Sequence, residues 1–136
     1  MTTSDQIHTG SCLCGAVRFS VKGALRDVVM CHCGMCLKWH GHAGAYTDAD
    51  DAQITVAPTD SLAWYRSSGF AARAFCSRCG SSLFWKREGS ARTSIAAGTL
   101  DQPTGLQTVR HIFTETLADY DRITDGLPCL PMGMGG

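Results

Sequence analysis

The sequence has no excess of charge of either sign, because 12 Lys and Arg residues are balanced by 12 Asp and Glu residues. The basic residues form no run, so the chain offers no surface suited to nucleic-acid phosphates. No stretch approaches the roughly 18 consecutive apolar residues of a membrane-spanning helix. The polar segment 1–10 lacks the basic and apolar parts of a signal peptide. We therefore expect no nucleic-acid partner, no membrane and a cytoplasmic location.

The chain also has no internal linker and no repeat of fixed long period. Its length of 136 residues suits one compact domain. A content of 44% hydrophobic and 18% charged residues is that of a globular protein, which excludes disorder. We predict a single domain over residues 1–136, with flexible ends at residues 1–8 and at the Gly-rich segment 131–136.

Long helical patterns are absent as well, since no window carries an apolar helical stripe of more than about two turns. Only residues 35–39 and 117–122 predict brief helical turns. By contrast, Val17, Phe19 and Val21 alternate with polar residues, which is typical of a half-buried strand. The sequence therefore predicts a mainly β fold. The further strand candidates are residues 28–31, 43–47, 53–56, 62–67, 72–76, 82–86, 93–97 and 109–114.

What the chain does have in abundance is cysteine, and seven of its eight cysteines stand in tight clusters. A disulfide framework is typical of short, secreted chains, and neither property is indicated here. In a reducing cytosol, clustered thiols are typical of metal sites. The eight cysteines are Cys12, Cys14, Cys31, Cys33, Cys36, Cys76, Cys79 and Cys129.

Two of the clusters are pairs with the spacing of metal ligands. Cys12 and Cys14 form a C-x-C pair, and in an extended strand both sulfurs project from the same face. Cys76 and Cys79 form a C-x-x-C pair of the kind that a tight turn presents to a metal. Together they supply four thiolates for a closed, structural zinc site. The 16 residues between Cys14 and Cys31 equally suit a zinc ribbon, so spacing alone leaves the pairing of clusters open.

The remaining group, which we name the three-cysteine cluster, comprises Cys31, Cys33 and Cys36. Structural zinc takes four protein ligands, whereas a site with three leaves a position for water or substrate. The cluster therefore predicts an active-site metal, unless a fourth protein ligand closes it. Cys129 stands alone and is most simply a buried thiol. The candidates for a fourth ligand are His32, His40, His42, His111 and Cys129.

The order of motifs along the chain resembles a known family. The motifs are SCLCGAVRF, CHCGMC, FCSRCGSSLFW, IAAGTLDQP, HIF and ITDGLP, and the match as a whole extends over about residues 9 to 131. In this succession the sequence resembles the glutathione-dependent formaldehyde-activating enzyme family. The resemblance rests on seven cysteines in the same order.

This resemblance implies an Mss4-like β architecture of short antiparallel strands stapled by zinc, with two zinc ions per chain. One zinc would be structural and held by Cys12, Cys14, Cys76 and Cys79. The other would be the active-site zinc, held with an open position by the three-cysteine cluster. The sequence departs from the family where an aromatic residue, commonly Trp, precedes the ITDGLP-like segment. Tyr120 is the candidate substitute here.

A zinc ion with three thiolates carries a formal charge of −1, so it acidifies water weakly and hydrolysis is disfavoured. Such a soft centre accepts a further thiol and deprotonates it. With the resemblance, this predicts a carbon-sulfur lyase or synthase whose partners are glutathione and a small aldehyde. The reaction would join formaldehyde and glutathione to S-hydroxymethylglutathione. His32, His40 and His42 flank the cluster and are candidates to carry the proton.

Two other functions fit the same residues. A zinc-stabilised binding module without catalysis is expected if a fourth protein ligand completes the three-cysteine cluster. A thiol-based redox or metal sensor is expected if the three thiols form disulfides on losing zinc. The sequence predicts no particular oligomeric state or substrate, because a fold and a metal site together do not fix function.

Overall fold

The computed structural model describes residues 6–133, and most of its regular elements are short strands. Three short 3-10 turns lie at Asp51–Gln53, Ala97–Thr99 and Thr114–Thr116, and the α-helix within the described residues is α1 (Gly34–His40). The mainly β fold predicted from the sequence is confirmed. The strands are β1 (Ile7–Ser11), β2 (Arg18–Lys22), β3 (Val28–Cys31), β4 (Gly44–Asp50), β5 (Ile54–Val56), β6 (Leu62–Arg66), β7 (Ala71–Cys76), β8 (Ser82–Arg87), β9 (Arg92–Ala96) and β10 (Thr108–Ile112).

The strands form two sheets. The small sheet has the order β1-β2-β5, and the large sheet has the order β10-β3-β4-β9-β8-β7-β6. Within residues 6–133, neighbouring strands pair antiparallel except β10 and β3, which run parallel. The antiparallel architecture expected for the fold therefore has one parallel pair at an edge. A bridge between Gly10 and Leu100 links the small sheet to the turn after β9.

The main core lies between the two sheets. Val17, just before β2, and Val21, within β2, are fully buried. Leu83 and Ile95 of the large sheet belong to the same cluster and are also fully buried. The rings of Phe19 and Phe84 meet edge to face, with their centroids 5.3 Å apart. Each such buried aliphatic side chain contributes about 1.5–3 kcal/mol to the free energy of unfolding. This apolar layer fixes one face of the large sheet.

The opposite face of the large sheet carries the three-cysteine cluster. Successive residues of a strand point to opposite faces, so Arg73 in β7 points away from Ala74, which is part of the main core. Tyr46 and Ala96 pack on this second face with Cys36, and Trp85 lies against them. The second face therefore holds a smaller cluster of apolar and sulfur atoms, separate from the main core.

The helix α1 is short and is bounded by clear capping residues. Cys33 is its N-cap, and the Cys33 Sγ accepts a hydrogen bond from the backbone N–H of Cys36 at 3.4 Å. Gly41 ends the helix in the left-handed conformation with φ of 78°, which a glycine adopts without a steric penalty. Lys38 and His40 occupy the last turn. Within residues 6–133, no helix is long and apolar enough to cross a membrane.

The second segment predicted to turn briefly, residues 117–122, contains one hydrogen-bonded turn and no helix. The 3-10 turn lies earlier, at Thr114–Thr116, and residues 117–122 contain only a turn closed by the N–H of Asp121 donating to the carbonyl of Ala118. The apolar pattern of residues 117–122 covers too few residues to nucleate a helix. The main chain instead returns towards β10, where the N–H of His111 donates to Pro128.

The prediction of a single domain with flexible ends stays a prediction. Within the predicted end segments, Ile7 and His8 pair with β2, and the carbonyl of Met132 accepts a hydrogen bond from the N–H of Phe113. Residues 1–5 and 134–136, the outermost parts of both segments, lie outside the described residues.

Candidate active site and metal centres

The structure brings Cys12, Cys14, Cys76 and Cys79 together as the four-cysteine cluster, with all Sγ atoms within 4.8 Å of one another. The Sγ atoms of Cys12 and Cys14 are 3.7 Å apart, and those of Cys14 and Cys76 are 3.8 Å apart. Four thiolates at about 2.3 Å from a tetrahedral zinc ion lie about 3.8 Å from one another. The donor set and its spacing therefore fit such an ion.

The backbone around the first pair differs from the extended strand that was expected. The strand β1 ends at Ser11, and the chain then turns, with the N–H of Gly15 donating to the carbonyl of Cys12. Gly15 has a φ of 80°, which favours glycine. The turn, rather than strand alternation, places both sulfurs on one side.

Amide and hydroxyl donors surround the sulfurs of the four-cysteine cluster. Burial opposes ionisation of Cys12, but the N–H of Val17, 3.3 Å from its Sγ, and the neighbouring thiols more than offset this, so the pKa of Cys12 is lowered. The hydroxyl of Ser81, 3.2 Å from the Cys79 sulfur, lowers the pKa of Cys79 to about 5. These contacts favour thiolates, which are the metal-binding form of cysteine.

The Sγ atoms of Cys31, Cys33 and Cys36 also lie within 4.8 Å of one another. Cys31 ends β3, Cys33 caps α1 and Cys36 lies in its first turn, so a strand end and a helix start supply the three sulfurs. Cys36 is buried, whereas Cys31 and Cys33 are half-buried. In the described part of the chain, no fourth His, Cys, Asp or Glu atom joins this group.

The thiols of the three-cysteine cluster divide into donors and an acceptor. Cys31 and Cys36 each donate a hydrogen bond to Cys33. These bonds, of which the one from Cys31 has the larger effect, lower the pKa of Cys33 to about 2. The same interaction with Cys33 raises the pKa of Cys31. Hydrogen bonds to the ionised form favour it. Cys33 is therefore the first thiol of the cluster to ionise.

The candidate fourth ligands are all directed elsewhere. His40 Nε2 lies 2.6 Å from the Tyr46 hydroxyl, and His42 Nδ1 lies 2.9 Å from the Tyr120 hydroxyl. Cys129, expected to be buried, is exposed, and its Sγ lies 3.5 Å from the carbonyl of Leu127. That expectation was wrong because residues 128–130 run alongside β10 at the outside of the sheet.

His32 and His111, the other two candidates, contact each other. His32 Nε2 lies 2.8 Å from His111 Nδ1, and His111 Nε2 lies 2.8 Å from the Asp125 carboxylate. His32 is 2% exposed. Its Nδ1 has no hydrogen-bond partner in the described part of the chain, although Asp121 lies 3.7 Å away. Burial, and then the nearby His111, lowers the pKa of His32.

The Tyr120 side chain, the candidate for the family's usual aromatic residue, stacks on His42. The ring centroids are 5.6 Å apart and the planes are inclined by 26°. One carboxylate oxygen of Asp121 lies 3.7 Å from His42 Nε2 and 3.7 Å from His32 Nδ1, so Asp121 lies between the two histidines. Tyr120 is 65% exposed, so it offers a ring face to solvent beside the cysteine-bearing segment.

The sequence interpretation missed Arg73. This residue is 3% exposed, and its guanidinium contacts both Cys36 and Tyr46. A signal was present, because Arg73 lies three residues before Cys76 in an alternating strand and so faces away from it. The sequence does not reveal that this other face meets the three-cysteine cluster, since the long-range pairing of β4 with β9 brings the two parts of the large sheet together.

A groove of about 340 Å³ opens beside α1 and is lined by aromatic side chains. The rings of Trp39 and Tyr65 stack with centroids 6.0 Å apart, and Trp39 Nε1 donates to the Ser82 hydroxyl at 2.7 Å. Phe75 meets Trp39 edge to face. Gly80, beside the four-cysteine cluster, also lines this groove.

Both cysteine clusters can bind a metal ion. All-sulfur ligand sets are soft, and they favour zinc, Cu(I) or iron–sulfur centres over magnesium or calcium. The four-cysteine cluster supplies a complete tetrahedral set, which is typical of structural sites. The three-cysteine cluster supplies three of four positions, which is typical of sites that bind an exchangeable ligand.

Comparison with known proteins finds one relative by sequence and one by fold among the matches. A protein of Schizosaccharomyces pombe that is named an uncharacterized lyase is 28% identical over 78 residues, which cover 57% of this chain and 56% of that protein. The crystal structure of a Rhodobacter sphaeroides protein covers 89% of this chain and 98% of its own, with a TM-score of 0.61 and 20% identity. At that identity, the likeness establishes the fold alone.

A model of one family matches most of the chain. The match covers residues 7–116 and includes both cysteine clusters, and the family's description is glutathione-dependent formaldehyde-activating enzyme. The chain belongs to the glutathione-dependent formaldehyde-activating enzyme family.

Proposed function

We propose that this protein is a zinc-dependent carbon-sulfur lyase or synthase that acts on the glutathione adduct of a small aldehyde, with formaldehyde as the expected aldehyde. The observation that carries the proposal is the three-cysteine cluster, which has three sulfurs and no fourth ligand atom among residues 6–133. A site of this kind can accept a thiol from solution. Membership of the family supports glutathione as that thiol.

The proposed reaction forms or breaks one carbon-sulfur bond. A zinc ion held by the three cysteines would supply a soft Lewis acid that lowers the pKa of an incoming thiol. The glutathione sulfur attacks the carbonyl carbon, and the electron pair of the C=O bond moves to oxygen. The proton lost by the thiol is returned to that oxygen, so the sum is formaldehyde plus glutathione to S-hydroxymethylglutathione. The reverse reaction follows the same steps backwards.

The histidines near the cluster differ in their access to substrate. The His42 side chain is 51% exposed, so it can exchange a proton with solvent. By contrast, His32 is buried, and His40 is hydrogen-bonded to the Tyr46 hydroxyl. We propose His42, on the side where Tyr120 stacks, as the residue that carries the proton. The exposed ring of Tyr120 then forms one wall for the substrate.

A binding module without catalysis is the alternative, and the unfilled fourth position argues against it. A redox sensor would use the same three thiols, which are close enough to exchange. It would release zinc on oxidation and would not turn over an aldehyde adduct. The cytoplasmic location stays a prediction and is the compartment in which either function would find reduced thiols.

The zinc part of the proposal is tested by metal analysis and graded chelation. We expect two zinc ions per chain, because the two clusters are separate. The ion at the three-cysteine cluster should leave first, without unfolding, because only one short segment holds it. The ion at the four-cysteine cluster should leave together with the folded structure. One zinc ion per chain, or loss of both together, would contradict the assignment.

The reaction is tested by exchange NMR on an equilibrium mixture of glutathione, formaldehyde and their adduct. The protein should speed the exchange, and Cys33→Ser should abolish the effect while keeping the zinc of the four-cysteine cluster. An unchanged rate at high protein concentration, with no binding of glutathione, would favour the binding module instead.

A further inference from the structure

Arg73 is a buried cation on the face of the large sheet that carries the three-cysteine cluster. The residue is 3% exposed and lies in the middle of β7, between Ala72 and Ala74. Taking a guanidinium out of water is costly unless an opposite charge compensates it. A side chain buried in this way is stabilised if an anion lies close to it.

Among residues 6–133, no carboxylate contacts Arg73. Its Nη1 donates to the Tyr46 hydroxyl at 3.2 Å, and its Nη2 donates to the Cys36 Sγ at 3.7 Å. In the same part of the chain, its Nε finds no hydrogen-bond partner. The ion pairs found within residues 6–133 engage Arg26, Arg66, Arg92 and other groups, but not Arg73.

The other polar neighbours supply no negative charge. Tyr46 is buried and remains a neutral phenol, and its hydroxyl lies 2.6 Å from His40 Nε2. An imidazole is either neutral or positive. The sulfur of Cys36 is thus the contact through which Arg73 can meet an anion, and that sulfur belongs to the three-cysteine cluster.

The net charge of a metal ion bound by thiolates gives a physical reason for the contact between Arg73 and Cys36. A divalent ion with three thiolates has a net charge of −1, and a thiolate as fourth ligand brings it to −2. Accumulating negative charge in a partly buried site disfavours the fourth ligand, and a fixed positive charge nearby opposes that effect. A guanidinium is not deprotonated in proteins, so a positive charge of this kind is permanent.

We propose that Arg73 is a positioning residue that lets the three-cysteine cluster take an anionic fourth ligand, with the Tyr46 hydroxyl holding the guanidinium in place. The inference rests on the proposed function, because that function supplies the thiolate. It makes the cluster selective by charge: a thiolate is favoured over a neutral ligand.

The test compares an anionic with a neutral ligand on the Co(II)-substituted protein, whose absorption bands report the ligands of the ion. Glutathione and imidazole are titrated separately into the parent, Arg73→Met and Arg73→Lys. Arg73→Met should bind glutathione on the order of 10- to 100-fold more weakly, the loss typical when a partner of a metal ligand is removed. Its affinity for imidazole should be unchanged, and Arg73→Lys should keep most of the glutathione affinity.

Arg26→Met is the matched control. Arg26 also donates a hydrogen bond to Tyr46, at its backbone carbonyl. Its guanidinium is paired with Asp48, and its described side-chain contacts do not include the three-cysteine cluster. This variant should bind both ligands as the parent does. If Arg73→Met does not fold, Arg73→Gln replaces it, because a glutamine amide can keep the contact with the Tyr46 hydroxyl.

The outcomes separate the inference from the proposed function. If the parent shows no spectral change with glutathione, the proposed function is wrong and the inference falls with it. If the parent binds glutathione and the neutral Arg73 variant binds it equally well, only the inference is overturned. Equal losses for glutathione and imidazole would also overturn it, because they would indicate a merely structural residue.

Discussion

The Nε2 atom of His32 lies 2.8 Å from the Nδ1 atom of His111, and this contact joins the cysteine-bearing segment to β10. The same two segments also pair as strands, with Cys31 opposite Ile112. The N–H of His32 donates to the Ile112 carbonyl at 3.0 Å. Main-chain and side-chain bonds therefore hold the start of the three-cysteine cluster against a distant part of the sequence.

Replacing His111 by Ala should destabilise the protein, because it leaves the buried His32 Nε2 without its partner. A buried polar group left unpaired costs about 1–3 kcal/mol of the free energy of unfolding. Chemical denaturation of the zinc-loaded protein measures the loss. Asp125→Asn is the milder control, since Asp125 has a side chain 43% exposed and an amide can still accept from His111. Equal stability of His111→Ala and the parent would contradict this role.

The two cysteine clusters should respond differently to the loss of one sulfur. Cys79→Ser removes a sulfur from the proposed structural zinc site, which would tie β7 to the turn after β1, so it should cost several kcal/mol, because structural zinc binding is coupled to folding. Cys33→Ser removes a half-buried sulfur, and serine is a favoured N-cap for α1. It should therefore stay folded and lose only the metal of its cluster.

Thermal unfolding and zinc content of the two variants check this difference. Cys36→Ser is a poorer choice than Cys33→Ser, because Cys36 is buried and its sulfur contacts Arg73. Loss of that sulfur would also leave the buried Arg73 cation without its sulfur contact. Equal destabilisation by Cys33→Ser and Cys79→Ser would mean that the three-cysteine cluster is structural too.

The strands and the ligand pairs could be predicted from the sequence because both depend on local spacing. The alternation of Val17, Phe19 and Val21 predicted the strand that the structure places at Arg18–Lys22. The C-x-C and C-x-x-C pairs predicted ligands, and the structure brings all four sulfurs together. The turn at residues 12–15 was missed, because a C-x-C pair meets the same requirement in a turn and in a strand.

The residues that surround the cysteines could not be predicted, because long-range pairing places them. Arg73 reaches Cys36 across 37 residues of sequence, and His111 reaches His32 across 79. No local pattern encodes such contacts. The parallel pairing of β10 with β3 is equally non-local, and it brings His111 against His32, which lies between Cys31 and Cys33.

The free energy of unfolding should fall as the pH is lowered through the ordinary pKa of histidine, partly because of His40. Burial, and then the charge of Arg73, lowers the pKa of His40 in the folded protein. In the unfolded chain it titrates at about 6.5, so below that pH the unfolded state binds the proton first and gains stability. The contribution of neutral His40 is therefore complete above about pH 7 and is lost as the pH falls.

Urea denaturation of the parent and of His40→Asn at pH 7.5 and 5.5 isolates this effect. The cysteine ligands also lose metal in acid, but they do so in both proteins, so the difference between the two pH dependences reports His40. The parent should lose more stability than the variant over this interval. A variant with the steeper loss would show that the sign is wrong and that folding favours the charged imidazole.

The contact between the two sheets should depend on the absence of a side chain at Gly10. Gly10 lies opposite Phe19 in β1 and β2, and a Cβ there would overlap the Phe19 ring and lie 2.6 Å from the carbonyl oxygen of Thr99. The ring is fixed by its edge-to-face contact with Phe84 in the main core, so it cannot move aside freely. Gly10→Ala should therefore cost about 1–3 kcal/mol, as overpacking does in a close-packed core. Gly98→Ala is the matched control, because it lies in the same 3-10 turn as Thr99 and a Cβ there meets nothing within 4 Å. If denaturation shows equal stability for both variants, the small sheet does not close on this turn as tightly as the contacts at Gly10 require.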